Sequence, residues 1–145
     1  MSAMTDFLEN KLIDQIFRGQ SAPATATLYV ALFTAAPSDA AGGTEVSTNG
    51  YARVAVTSSL ANWAGTQSAG STVASSGTGG QTSNNAAITF PTPTGGGWGT
   101  VTHFAIFDAA TGGNMLLEGA LAIAKTINEA DTVSFPAASL AITFA

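Results

Sequence analysis

The residues of this chain that could do chemistry are few, and their spacing keeps them apart. A nucleophile needs a base beside it, normally a histidine with a carboxylate behind it. His103, the one histidine, lies in an apolar run between Thr102 and Phe104, and no Gly-x-Ser-x-Gly elbow occurs to give it a partner. It reads as a partly buried packing residue. Paired carboxylates could cleave glycosides, but of the nine acids Asp6, Glu9 and Asp14 fall on one predicted helix and most others fall in turns. Asn128, Glu129 and Asp131 form the densest acidic cluster; their oxygens could hold a cation loosely, although a tight turn between strands explains them more simply. The glycine clusters never take the form Gly-x-x-x-x-Gly-Lys, and none opens a helix that could seat a phosphate. Trp63, Trp98, Tyr29 and Tyr51 could stack on a sugar, but in a chain with 8% aromatics packing is the plainer use. With no cysteine there is no thiol chemistry and no Cys-type zinc site. The sequence points to no enzyme, and to no catalytic residue, cofactor or metal.

The elements that would carry any site are one helix and a series of strands. Phe7, Leu8, Leu12, Ile13, Ile16 and Phe17 recur at helical spacing and predict a helix over residues 5–18 with one apolar stripe. Thr5 is its N-cap, Asp6 and Glu9 put negative charge in the first turn, and Arg18 followed by Gly19 ends it. The period then changes to two. Residues 25–34 predict a strand with Leu28, Val30 and Leu32 on one face and Tyr29, Ala31 and Phe33 on the other. Both faces are apolar, so both need cover: a sandwich interior on one, the helix or a neighbouring subunit on the other.

Turn residues fill 35–49, and 51–58 predicts a half-exposed strand with Ala52, Val54 and Val56 inward and Arg53 and Thr57 outward. Over 64–85 the pattern fails among Gly, Ser, Thr and Gln, which predicts a long surface excursion carrying a short strand near 71–75. Further strands follow at 86–90, 101–107, 115–123, 126–135 and 140–144; in the second of these Phe104 and Ile106 share a face opposite Val101, His103, Ala105 and Phe107. Short strands at this spacing, with no helix after Gly19 to make a crossover, predict a mostly β single domain over 1–145: an antiparallel β-sandwich, or a barrel-like variant, over 25–145 behind the N-terminal α-helix.

Charge narrows the function. Only 9% of residues are charged, against about 25% in ordinary domains. Such a surface loses little on desolvation and suits burial against a neighbour, because interface cores are depleted in charge. The net charge of −5, with Lys11, Arg18, Arg53 and Lys125 scattered singly, argues against a nucleic-acid partner, and none is expected. No apolar run reaches a membrane-spanning length, so no membrane partner is expected. The N-terminus shows no basic segment leading into an apolar one, so the expectation is a cytoplasmically made protein. The candidate assembly interface is the helix stripe with the outer face of the first long strand: Leu8, Leu12, Ile16, Phe17, Tyr29 and Phe33. A candidate surface-binding loop comprises Gly77, Gln81 and Trp98.

Several segments carry a resemblance to a known family. These are Leu8-Glu-Asn-Lys-Leu-Ile-Asp14, the Phe17-Arg-Gly19 stop, Leu28-Tyr-Val-Ala-Leu-Phe-Thr-Ala-Ala-Pro37, Gly50-Tyr-Ala-Arg-Val54, and Trp98-Gly-Thr-Val-Thr-His-Phe-Ala-Ile-Phe-Asp108 with its continuation to Asn114. Together they resemble a family of small bacteriophage virion proteins commonly labelled phage tail-fibre protein, over nearly the whole chain except the Gly/Ser-rich middle. The resemblance implies a structural protein of the virion, present in many copies, whose partners are other copies of itself and neighbouring tail, neck, portal or capsid proteins. The resemblance leaves the position open, and the expectation is a place on the exterior as a tail-fibre, neck or collar component. The alternatives are a capsid decoration protein and a module that binds the host surface or its glycans.

Overall fold

Apolar side chains at period two, broken by Gly, Pro and Asn turns, build most of this molecule, and a 3.6-residue period builds one helix at its start. A computed structural model describes residues 2–21, 25–40 and 42–144; Met1 and Ala145, the ends of the predicted domain, lie outside the described residues. The elements run β1 (Ser2–Met4), α1 (Asp6–Arg18), β2 (Thr27–Ala35), β3 (Thr44–Glu45), β4 (Val54–Thr57), β5 (Gln81–Ser83), β6 (Ile88–Thr89), β7 (Gly99–Phe107), β8 (Met115–Ile127), β9 (Ser134–Phe135) and β10 (Ala141–Thr143).

The main sheet has six antiparallel strands in the order β1-β8-β7-β2-β3, with β4 also on β2. β2 and β7 are its centre, paired from Tyr29↔Phe107 to Phe33↔His103. The far edge of β2 is shared: β4 covers Thr27 to Val30, and β3 covers Phe33 and Ala35. Between them the Tyr51 hydroxyl accepts the Leu32 N–H at 2.9 Å, filling the gap in the ladder. Two small sheets, β10-β5 and β6-β9, bring Ile88, Phe90, Phe135, Leu140 and Ile142 against Val30, Leu32, Phe104, Ile106 and Leu116 of the main sheet. This is the sandwich core. The main sheet does not close on itself, so the barrel-like variant is not adopted.

The helix follows its sequence signals closely. The Thr5 hydroxyl accepts the Leu8 N–H, and Gly19 takes the left-handed conformation (φ 67°) with its N–H on the Asp14 carbonyl. Thr5 also donates to the Met115 carbonyl at 2.6 Å, so the cap ties the helix to β8.

Other expectations are corrected. The three-residue β1 ahead of the helix was not anticipated; it pairs with residues 117–119 of β8. β4 begins only at Val54, so Arg53 is not held to the strand's alternation, and its side chain is 8% exposed instead of facing solvent. Ala52 is exposed for the same reason. Val101 shares the core face with Phe104 and Ile106, because the register between β7 and β8 shifts between Val101 and His103 and the alternation is not kept across it. Residues 126–135 are not one strand. β8 ends at Ile127, and a turn follows in which Asp131 accepts the Asn128 N–H at 2.7 Å and Ala130 has φ 66°. No strand forms at 71–75; the strand of that region is β5.

Gly119 is required for a different reason from Gly19. It pairs with Phe104, and a Cβ there would lie 2.8 Å from the Phe104 ring. The bare backbone lets that ring fold over the ladder into the core.

Candidate assembly surface

Both faces of the β2–β7 pair are covered within the chain. On the second face Ala31 and Ala105 are directly paired and fully buried, and the rings of Phe33 and Phe107 stack with centroids 6.4 Å apart and planes within 2°. The Arg53 guanidinium lies over the Phe107 ring, 3.5 Å from its centroid. From there it donates to Glu45 through Nε and Nη2, both at 2.8 Å, and through Nη1 to the carbonyls of Ala109 and Gly112. Tyr51 donates its hydroxyl to the same Glu45 carboxylate, and burial pushes that phenol well above its ordinary pKa. Phe33, a candidate for contact with a neighbour, is therefore 3% exposed in the single chain, and a second subunit is not needed to cover it. Tyr29 is half-buried beside it.

The helix stripe divides in two. Phe7 and Leu8 pack against the core and Leu12 is half-buried. Beyond them the helix leaves the body, and Ile13, Ile16 and Phe17 are 50%, 68% and 79% exposed. Their i, i+3, i+4 spacing makes a single apolar ridge.

On β8 a second apolar feature is open. The ladder pairs His103 with Ala120 and Val101 with Lys125, so one residue of β7, Thr102, stands opposite residues 121–124 of β8. These extra residues bulge from the sheet, leaving Ile123 82% exposed. Between the bulge and the 133–141 segment runs an apolar groove of about 670 Å³, floored by Leu32, Val101 and Phe104 and walled by Leu121, Ile123, Phe135 and Leu140. Among the described residues, Lys125 is the only charged one that lines it. Periodicity alone could not reveal this groove, because it depends on a register slip between two neighbouring strands and on the 133–141 segment that faces it.

The predicted surface-binding residues are not brought together. Trp98 is 5% exposed, in edge contact with Tyr51 at 5.3 Å and Phe90 at 6.4 Å, with its Nε1 donating to the Asn49 carbonyl. It is a core residue, because the glycine-rich turn before it folds inward. Gly77 and Gln81 are exposed. The 64–85 loop is pinned at its base by Ala64 N–H to Ser83 and Asn85 N–H to Asn62, both 2.8 Å, and is bonded to itself through Thr66 to Ser76 and Gln67 to Ala74.

Asn84, which the composition of that loop conceals, is completely buried. Its amide donates to the carbonyls of Ala86, Phe135 and Pro136, and its Oδ1 accepts the Leu140 N–H at 2.9 Å.

Among the described residues, no group of three or more His, Asp or Glu is placed to hold a metal ion. His103 Nδ1 lies 2.8 Å from the neighbouring Thr102 hydroxyl. In the 128–131 turn, Glu129 accepts the Gly95 N–H and Asp131 that of Asn128. Among the described residues no helix is long and apolar enough to cross a membrane.

Glu118, beside Ala105 on the second face, has its pKa raised by desolvation, partly offset by His103. A carboxyl whose folded pKa lies above its unfolded one contributes stability at acid pH and loses it as pH rises through the folded value. Glu118→Gln is therefore expected to raise the melting temperature at neutral pH. The gain should vanish below the ordinary carboxylate value of 4.5, as read from thermal melts across that range.

A family model described as Podophage GP4 fiber I protein gp80 matches residues 3–143. The chain belongs to this phage fibre family. Within the fibre family match lie the helix, the Arg53–Glu45 network and the Trp98 cluster, all of them framework. No curated protein matches the chain.

Proposed function

We propose that this fibre-family chain is a non-enzymatic structural component of the phage particle, carried in several copies on its exterior at the tail, neck or collar. Its partners in this reading are further copies of itself and adjoining virion proteins, with no nucleic acid or membrane. The observation that carries the reading is the helix ridge of Ile13, Ile16 and Phe17, apolar and uncovered in the single chain. Large apolar patches of this kind mark interaction sites. The weak charge of the whole surface supports the same reading.

The test is made on particles. Quantitative mass spectrometry of purified virions should find several copies per particle. Ile16→Asp with Phe17→Asp, both at exposed positions, should leave the far-UV circular dichroism and melting temperature unchanged and abolish incorporation. A single copy per virion, or normal incorporation of the folded variant, overturns the reading.

A further inference from the structure

The chain carries two uncovered apolar features, a ridge and a groove. We infer that the helix ridge of one copy seats in the β8 groove of the next, so that copies join head to tail. The inference rests on the multi-copy reading above and names its contact.

The ridge offers Ile13, Ile16 and Phe17 on one face of a helix, the i, i+3, i+4 anchors with which helices enter apolar grooves. The groove offers Leu121, Ile123 and Phe135 around a floor of sandwich core left open where β8 bulges. Neither is covered in the single chain, and both are apolar, one convex and the other concave.

Charge orients the contact. The ridge lies at the C-terminal end of α1, the negative pole of the helix dipole. Arg18 at that end is paired with Asp14 at 3.2 Å. Lys125, the one charge lining the groove, has no ion pair among the described residues and suits that pole.

Because ridge and groove are different patches, the contact is heterologous: each copy gives one and receives one, and the array closes into a ring or extends as a filament. A helix end in a groove buries less than the roughly 1,600 Å² of a standard interface, so repetition around the array supplies the stability.

The absence of cysteine from the chain makes a clean test possible. Phe17→Cys and Ile123→Cys variants, both at exposed positions, are mixed and treated with a short bismaleimide. The expected result is a covalent dimer joining one variant to the other, far exceeding the dimer formed by either variant alone. It should be lost when Ile13→Asp and Ile16→Asp are added to the Phe17→Cys chain. Equal cross-linking of Phe17→Cys alone would mean ridge meeting ridge, and of Ile123→Cys alone would mean pairing of β8 edges. No dimer in any mixture would assign the groove to a different protein. Each of these three outcomes overturns the inference and leaves the copy number, measured on particles, to judge the multi-copy reading separately.

Discussion

Arg53→Ala should lower the unfolding free energy by about 3–5 kcal/mol, the usual consequence of removing one partner from a largely buried ion pair. Its side chain is 8% exposed and that of Glu45 24%. Truncation takes the cation from the Glu45 carboxylate and leaves it the Tyr51 hydroxyl, frees the carbonyls of Ala109 and Gly112, and uncovers the Phe107 ring. For a chain of this size the corresponding fall in melting temperature is roughly 10–16 °C. Arg53→Lys should recover only part of the loss, since an ammonium cannot make the paired bonds to Glu45 or lie flat on the ring. Arg53→Met combined with Glu45→Gln should recover more, because neither charge is then left alone. Urea midpoints with an unchanged slope report these differences as stability. A loss in Arg53→Ala below 1 kcal/mol, the range of an exposed surface pair, would show that the guanidinium does not hold the second face closed.

Asn84→Ala should be of similar size, on the order of 4 kcal/mol, because each buried polar group left unpaired costs about 1–3 kcal/mol. The groups concerned are the Leu140 N–H and the carbonyls of Ala86, Phe135 and Pro136. Asn84→Asp separates the acceptor from the donor role. Its carboxyl could still accept the Leu140 N–H but would face three carbonyls. Burial among acceptors raises the folded pKa of such a carboxyl. Its protonated form is then favoured in the folded state, so the deficit against wild type should be smallest at acid pH and grow as pH rises through that value. Denaturant midpoints of variant and wild type at acid and neutral pH measure the difference. A deficit independent of pH would mean that the side chain is not enclosed in the folded state.

Both residues were visible in the sequence without their roles. Arg53 stands in the Gly50-Tyr-Ala-Arg-Val54 segment that carries the family resemblance, where strand alternation predicted an outward side chain. What reverses that is the late start of β4 and the approach of the 108–114 turn, a contact between segments more than fifty residues apart. Asn84 sits in a polar, glycine-rich stretch that reads as loop, and three of its four partners lie in the 135–140 segment.

The same division runs through the candidate assembly surface. Local signals determine the helix: its Thr5 cap, its apolar stripe and its Gly19 stop are encoded within a few residues, and all three are observed. The mostly β antiparallel class likewise follows from short-range alternation and turn chemistry. Period alone cannot say which part of an apolar stripe the body of the protein will cover. Tertiary structure decides that Leu8 is packed while Ile16 and Phe17 stand free, because the Thr5 cap ties the first turn of α1 to β8 and the last turn projects from the body. It also decides that Phe33 and Trp98 are interior, and that β8 opens a groove where its register with β7 slips. Capping and periodicity act between near neighbours and are written into the order of residues, whereas burial and register are set by strands that meet only once the chain has folded.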